Sequence, residues 1–195
     1  MKKLDDNEIR TALITRLSTY KDCKIYEEVT VPSGKARADI VSVNGHVVAY
    51  EIKSDYDSIK RLETQIPEYD RNFEMNYIVV GAKFEESISN FVPEYWGIIL
   101  VRKTRLNTIR LSFIRKAKLN PKLSFTDFLS LLSSNEIKKI ATKGKYLEKH
   151  LKSSEVRKLF KQDIVKKLDE NLSNSIKKKF KKTSSPFIKE LVKSR

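Results

Sequence analysis

Hydrophobic residues recur near the start of the chain at the spacing of a helix. Between about Asp5 and Tyr20, the residues Ile9, Leu13 and Leu17 return every four positions, which places them on one helical face. An aspartate at the start of this stretch can accept a hydrogen bond from the first turn. The pattern therefore predicts an N-terminal helix that buries one face.

Alternation then replaces the helical period, and three strands are predicted over residues 24–31, 37–43 and 46–53. Asn44-Gly45 stands between the second and third and is a strong hairpin signal. The second and third strands form this hairpin, so we expect them to pair antiparallel.

A second helix is predicted from about Asp57 to Phe73, with Pro67 inside it as a source of a kink. Further strands are expected at 77–81, 96–101 and 108–113, with a short helix over 85–91 before the last two. This order predicts an α/β fold with a mixed sheet. From residue 124 onward the pattern is helical, so we expect a first domain over 1–135 and a basic helical extension over 136–195.

The chain carries 40 Lys and Arg against 25 Asp and Glu, a net charge of +15. Residues 141–195 alone hold seventeen basic and six acidic side chains. A positive surface of this size favours a polyanionic partner, with nucleic acid first and DNA preferred. A solvated lysine-rich helix surface would produce the same count, so charge alone leaves this alternative open.

Several classes of protein are disfavoured by composition. No run of about eighteen apolar residues exists, so a membrane span is excluded. Apolar residues of the tail could lie on a membrane surface, but they fit packing on a domain just as well, and no membrane partner is expected. Cys23 is the only cysteine, which excludes an intrachain disulfide and favours a reducing cytoplasm. His46 and His150 are too few and too far apart for a zinc cage. A metal would therefore have to be a hard cation held by carboxylates.

The segment with the clearest chemistry is Asp39 followed by Glu51-Ile52-Lys53. Adjacent strands of the hairpin bring the two carboxylates to one end of the sheet, and carboxylate oxygens are what Mg²⁺ prefers. Glu51 and Lys53 lie two apart on a strand and share a face. A lysine beside a metal-held pair of carboxylates can orient a water and stabilise charge on a phosphate.

The hairpin register decides whether this cluster can form. A strict two-residue turn at Asn44-Gly45 would place Asp39 opposite Tyr50 and turn Glu51 to the other face of the sheet. The cluster therefore requires either a three-residue loop with Gly45 in the left-handed conformation, or a bulge near Asp39.

Asp39…Glu51-Ile52-Lys53 resembles the signature of the PD-(D/E)XK nuclease superfamily, with Ala38 in place of the nominal proline. Gln65-x-x-x-Tyr69 and Glu8 are similar to features of its RecB-like and junction-resolvase-like branches, and the stretch from Ser54 to Tyr69 resembles a group of small bacterial and phage proteins within it. The resemblance covers roughly residues 5–135. It implies an αβββαβ restriction-endonuclease-like core and metal-dependent hydrolysis of phosphodiester bonds, in DNA more than RNA.

The resemblance also implies a set of roles. Mg²⁺ or Mn²⁺ would be held by Asp39, Glu51, the Ile52 carbonyl and Glu8. Lys53 would orient the attacking water, and Gln65 would hold either Lys53 or that water. Glu51 and Lys53 could instead form an exposed cross-strand pair, and Glu8 is favoured near a helix N-terminus in any case.

Contacts with nucleic acid are expected from basic residues beside the cluster and in the extension, namely Arg37, Arg61, Lys177, Lys178 and Lys179. Two functions from other classes stay open. One is a non-catalytic accessory protein that binds nucleic acid. The other is a toxin-type nuclease held in check by an inhibitory protein partner. Nucleases that cut both strands often dimerise, so a homodimer is also considered.

Overall fold

A computed structural model describes residues 2–143 and 152–177 of the chain. The chain divides into two compact units, Met1–Lys122 and Leu123–Arg195. We call the first the sheet unit and the second the helical unit, and describe each by itself. The predicted division after residue 135 stays a prediction.

The sheet unit contains a six-stranded sheet whose strands lie in the order in which they occur in the chain. The first three strands are antiparallel neighbours, the third, fourth and fifth run parallel, and the sixth is antiparallel to the fifth. The predicted α/β class with a mixed sheet is therefore confirmed. The strands are β1 (Lys24–Thr30), β2 (Arg37–Asn44), β3 (His46–Lys53), β4 (Met75–Val80), β5 (Gly97–Lys103) and β6 (Ile109–Arg115).

The β2–β3 hairpin has the register that the cluster requires. Val43 pairs with Val47 and Asn44 with His46, so three residues form the loop. Gly45, at its tip, has a φ of 83°, in the left-handed region where glycine carries no Cβ penalty. The prediction of a three-residue loop with Gly45 left-handed is confirmed.

Helix α1 (Asp6–Ser18) covers one face of the sheet. Asp5 and Glu8 form a capping box that satisfies backbone donors at its start. Ile9, Leu13 and Leu17 are fully buried in one core cluster with inward residues of β2–β5. The helical spacing read from the sequence therefore corresponds to the face that packs on the sheet.

Helix α2 (Leu62–Asn72) covers the opposite face and begins later than predicted. Asp57, the predicted start, instead accepts hydrogen bonds from the backbone N–H and hydroxyl of Ser54 in a tight turn. Local side-chain to backbone bonds of this kind compete with helix formation. Pro67 lies within the helix, as predicted.

The predicted helix over 85–91 is wrong. Two short 3₁₀ helices, Ala82–Phe84 and Ile88–Asn90, occupy this region and connect β4 to β5. Single 3₁₀ turns bury Phe84 and Ile88 in place of one continuous helix.

The described part of the helical unit contains α3 (Phe125–Ser130), α4 (Ser134–Lys143), α5 (Ser153–Lys158) and α6 (Lys161–Asn171). Its helices bury an apolar core that includes Phe128, Ile137, Val156, Ile164 and Leu168. Its assignment as a basic extension of a restriction-endonuclease-like core stays a prediction. Of the helices in residues 2–143 and 152–177, none combines the length and apolarity needed to cross a bilayer.

Candidate functional site

The candidate site lies where β2 begins and β3 ends, on the face that α2 covers. Ile40 pairs with Tyr50, and the next step in the same register places Asp39 opposite Glu51. Opposed residues of an antiparallel pair point to the same face of the sheet. The hairpin therefore joins the two carboxyl groups that the sequence separates, and Lys53 shares their face. We call Asp39, Glu51, Lys53, Gln65 and Tyr69 the acidic cluster.

Glu51 is buried, with 2% of its surface exposed, and both of its carboxylate oxygens are hydrogen-bonded. Oε1 accepts from the ammonium group of Lys53, which is also buried, and from Gln65 Nε2 at 2.8 Å. Oε2 accepts from the hydroxyl of Tyr69. A buried carboxylate is tolerated when it is paired and hydrogen-bonded in this way. Gln65, which the sequence predicts to hold Lys53 or the attacking water, contacts Glu51 directly here, and the predicted role stays a prediction.

The carboxylate of Asp39 has fewer contacts with donors than that of Glu51, and its contact with a cation is longer. Its Oδ2 accepts from the Ile52 backbone N–H at 2.7 Å, and its Oδ1 lies 3.4 Å from Arg10 Nη2. Burial, followed by the negative charge of Glu51, raises the pKa of Asp39 to about 7. Near neutral pH this carboxyl is therefore poised between its protonated and charged forms.

Arg10 is a site residue that the sequence analysis missed. From α1 its Nη1 donates to the Asp39 carbonyl at 3.0 Å, and the same nitrogen lies 3.0 Å from Glu28 Oε1. Its Nε pairs with Asp6, one turn earlier in the helix, at 3.0 Å. The i, i+4 spacing of Asp6 and Arg10 is visible in the sequence, but their approach to β2 depends on how α1 packs.

Tyr69 links α2 to the cluster and to the core at once. Its ring packs at tilted angles against Phe73 and Trp96, with centroids 5.5 and 5.6 Å away. Burial, and then the negative charge of Glu51, raises the pKa of Tyr69 well above its ordinary value. The phenol therefore stays protonated and acts as a hydrogen-bond donor.

A cavity of about 270 Å³ opens beside the acidic cluster. Its lining has equal numbers of acidic and basic side chains. Lys35, Arg37 and Arg61 are the exposed basic residues of its lining, and we call them the basic rim. The other charged or polar lining residues are Asp6, Asp39, Glu51, Lys53, Asp57, Thr64 and Gln65, together with Ala36 and Ile52.

Glu8 does not line this cavity, and its role as a catalytic residue and metal ligand stays a prediction of the sequence. Its Oε1 accepts from Lys103 Nζ at 2.6 Å, and its Oε2 accepts from the Asp5 backbone N–H at 3.2 Å. The hydrogen bond from Lys103 lowers the pKa of Glu8. Two residues turn a helix by about 200°, so Asp6, rather than Glu8, faces the cavity.

The predicted contacts for nucleic acid lie in different parts of the chain. Arg37 and Arg61 both line the cavity, although Arg37 Nε also pairs with Glu28 at 2.7 Å. Lys177 lies in the helical unit, where its Nζ is 2.5 Å from Asp169 and 5.4 Å from the centre of the Phe125 ring. Lys178 and Lys179 lie outside the described residues.

The cluster as arranged does not fit a Mg²⁺ ion. Both Glu51 oxygens already accept from side chains, so an ion would have to displace Lys53 or Tyr69. Within the described ranges no group of three or more His, Cys, Asp or Glu side chains is placed to hold a metal. The Ile52 backbone N–H binds Asp39, and the ligand role of its carbonyl stays a prediction. Mg²⁺ or Mn²⁺ stays a prediction of the sequence, and no chemical step is derived through it.

Two further buried carboxylates anchor the surroundings of the site. Asp55 accepts from the Leu4 and Lys83 backbone N–H groups, each at 2.8 Å, and so ties the N-terminus to the loop after β4. Asp70 accepts from Trp96 Nε1 at 2.8 Å and from the Tyr95 hydroxyl at 2.5 Å. No periodicity in the sequence marks these residues, because their burial depends on the assembled layers.

Fold and site together define a mixed α/β protein with a buried, internally paired acidic cluster and a large positive charge. The chain belongs to the family of the bacteriophage P4 protein cII, whose family model matches residues 1–195. Protein cII of Enterobacteria phage P4 is 29% identical over 192 residues, which cover 96% of this chain and 72% of that protein. No solved structure matches the chain.

This membership corrects the predicted function. Assignment as a metal-dependent nuclease was wrong, because the matching family and the relative are those of phage P4 protein cII and not of a nuclease. The alternative of a toxin-type nuclease is wrong for the same reason. The likeness to PD-(D/E)XK proteins in the Asp39–Lys53 segment stays a prediction about ancestry and fold.

Proposed function

We propose that this protein binds nucleic acid without cutting it and acts as a regulatory protein, with DNA as its preferred partner. The observation that carries the proposal is the net charge of +15 on 195 residues. A charge of this size attracts a polyanion over a wide range of orientations. When basic side chains neutralise phosphates, the nucleic acid releases counterions, which favours binding.

The basic rim supports the proposal locally. Lys35 and Arg61 are exposed at the cavity, and within the described ranges neither has a salt-bridge partner. Unpaired exposed cations are available for phosphate oxygens, and arginine can bind them in a bidentate manner. The rim thus offers a phosphate-binding surface in the sheet unit.

The acidic cluster serves a structural purpose in this proposal. Glu51 neutralises Lys53, and Tyr69 and Gln65 fill the remaining hydrogen-bonding sites of its carboxylate. The cluster holds α2 against β3 and thereby fixes Arg61, which precedes α2, relative to β2. Kinship with protein cII of phage P4 supports a regulatory role over a nuclease role.

Fluorescence anisotropy with a labelled oligonucleotide at several salt concentrations tests the proposal. We expect binding that weakens as salt rises. In a plot of the logarithm of the binding constant against the logarithm of the salt concentration, the double variant Lys35→Gln/Arg61→Gln should show a shallower slope. The difference should be about one unit for each phosphate that the protein no longer neutralises. Lys24→Gln removes an exposed lysine at the start of β1, away from the cavity, and is the matched control.

A second arm incubates the same oligonucleotides with Mg²⁺, Mn²⁺ or EDTA and separates the products on a denaturing gel. Intact substrate in every lane is the expected result. Absence of binding at low salt would contradict the proposal, and so would cleavage that Lys53→Ala abolishes.

A further inference from the structure

The two edge strands of the sheet, β1 and β6, differ in how regular they are. In β1 the pairing with β2 is interrupted at Glu28, whose φ of 56° lies in the left-handed region. In β6 the stretch from Ile109 to Phe113 pairs with β5 without interruption. A regular edge is a template for a further strand, whereas an irregular or acidic edge discourages one with like charge. β6 is therefore the edge that is shaped to accept a strand.

The outer side of β6 carries backbone groups that the sheet does not use. Among the strands of residues 2–143 and 152–177, β6 pairs with β5 and with no other. Within the same ranges, no backbone hydrogen bond outside that ladder involves residues 109–115. Phe113 and Ile114, near the end of the strand, are 39% and 60% exposed. An added strand would pair the outward N–H and C=O groups and cover part of both apolar side chains.

Positive charge accumulates along the hairpin that β5 and β6 form. Residues 102–118 hold seven Lys and Arg and no Asp or Glu. Three of the seven are bound within the sheet unit: Arg102 to Glu85, Lys103 to Glu8, and Arg115 to backbone carbonyls. The other four are exposed and form no salt bridge within the described part of the chain. We call these four the edge cations: Arg105, Arg110, Lys116 and Lys118.

Arg110 lacks the counter-ion that its neighbour across the ladder has. It lies directly opposite Arg102 in the pairing of β6 with β5, and like charges at opposed positions disfavour pairing. Glu85 compensates the charge of Arg102, whereas Arg110 is exposed at the edge. A carboxylate opposite Arg110 on a further strand would supply the equivalent partner.

We propose that β6 binds an extended acidic segment of a partner protein, which joins the sheet as an additional strand. Acidic and apolar residues alternate in this segment. Its backbone pairs with β6, its carboxylates contact the edge cations, and its apolar side chains cover Phe113 and Ile114. No residue of β6 lines the cavity, so the inference goes beyond the proposed function and does not depend on it.

Two other occupants fit the edge less well. A second copy of this chain, paired through its own β6, would bring two sets of edge cations together, which like-charge repulsion disfavours. A nucleic acid would neutralise the cations, but it could not continue the ladder of backbone hydrogen bonds. Only an acidic strand satisfies both the charge and the backbone groups of β6.

The test uses the full chain and a fluorescent peptide of alternating Glu and Val with blocked ends. Anisotropy measures its binding, and hydrogen exchange followed by mass spectrometry locates it. We expect saturable binding and slower exchange of the β6 amides when the peptide is present. The same peptide with every backbone nitrogen methylated keeps its charge but donates no backbone hydrogen bond, and it should bind at least about tenfold more weakly. A peptide of alternating Lys and Val should not bind.

Two variants test the contribution of the edge cations. Arg110→Gln/Lys116→Gln should weaken binding of the Glu/Val peptide by roughly threefold to tenfold, since each removes one cross-strand charge pair. Lys24→Gln is the matched control, because Lys24 is an exposed lysine on β1, the opposite edge strand. It should leave the affinity unchanged. Urea unfolding of each variant checks that the fold is retained.

Several outcomes would overturn the inference. They are no binding of the Glu/Val peptide, equal binding of the methylated peptide, unchanged affinity in Arg110→Gln/Lys116→Gln, and protection of β1 amides in place of those of β6. A dimer in sedimentation equilibrium whose β6 amides are protected without peptide would assign the edge to a second copy. An oligonucleotide that slows exchange in β6 as much as the peptide does would assign it to nucleic acid. The salt titration of oligonucleotide binding tests the proposed function separately.

Discussion

The hydroxyl of Tyr69 on α2 donates a hydrogen bond to Oε2 of Glu51 on β3, and both residues are buried. This contact joins the helix to the centre of the sheet through a charged acceptor. Hydrogen bonds to charged groups contribute about 1.5–3 kcal/mol, roughly twice a neutral one. The pair therefore connects the hydrogen bonds of the acidic cluster to the packing of α2 on the sheet.

Removal of the Tyr69 hydroxyl should destabilise the sheet unit. In Tyr69→Phe the ring still fills its site, but Glu51 Oε2 loses its donor, and we expect the free energy of unfolding to fall by about 1–3 kcal/mol. Urea unfolding followed by the fluorescence of Trp96, which is fully buried in the same unit, measures this. Tyr56→Phe removes an exposed hydroxyl and should change the midpoint little.

Loss of the Glu51 charge should be more costly, because Lys53 would remain buried without its counter-ion. For Glu51→Gln we expect a loss of about 3–5 kcal/mol at neutral pH, the usual result of breaking a buried pair from one side. Glu85→Gln breaks the exposed pair with Arg102 and should cost at most about 1 kcal/mol. Comparable losses in the two variants, measured by urea unfolding, would show that the Glu51–Lys53 pair does not stabilise the fold.

Asp39 should make the protein more stable in mild acid than in base. Its pKa is about 7 in the folded chain against an ordinary value of 3.8. Between these values the folded protein retains a proton that the unfolded chain has lost, so stability falls as pH rises from about 4 to 7 and then levels off. The slope for one such group is at most about 1.4 kcal/mol per pH unit.

Asp39→Asn should flatten this part of the profile, because an amide does not titrate and its oxygen can still accept from the Ile52 N–H. Glu63→Gln, at an exposed position of α2, serves as the control and should keep the wild-type profile. Thermal unfolding from about pH 4.5 to 8.5 distinguishes the variants. A wild-type profile that rises with pH over this window would contradict the assigned burial of Asp39.

Gly81→Ala should disrupt the Asp55 anchor. A Cβ at Gly81 would lie 2.4 Å from Asp55 Oδ1 and within 3 Å of the other carboxyl atoms. The carboxyl group cannot withdraw without losing its bonds to Leu4 and Lys83, so we expect a loss of about 2–4 kcal/mol. At Gly34 a Cβ would meet no atom within 4 Å, and only its φ of 72° opposes alanine. Gly34→Ala should therefore cost about 1 kcal/mol in the same urea assay.

Local pattern was enough to predict several parts of the fold. The spacing of Ile9, Leu13 and Leu17 identified the buried face of α1, since a helix places these residues on one side irrespective of its neighbours. The Asn44-Gly45 signal identified the hairpin, and the geometry of Asp39 and Glu51 then required either a three-residue loop or a bulge near Asp39, of which the structure has the loop. The local turn signal located the hairpin but left its register open between these alternatives.

The sequence by itself thus determined the class of the sheet unit, the strands that carry Asp39, Glu51 and Lys53, and the excess of positive charge. Tertiary structure decided that Asp6, rather than Glu8, faces the cavity and that Arg10 reaches Asp39, because the rotation of α1 about its axis is set by packing on the sheet. It also decided the burial of Asp55, whose partners are 51 and 28 residues away in the chain. Contacts across such distances form only when layers assemble, and no local period encodes them.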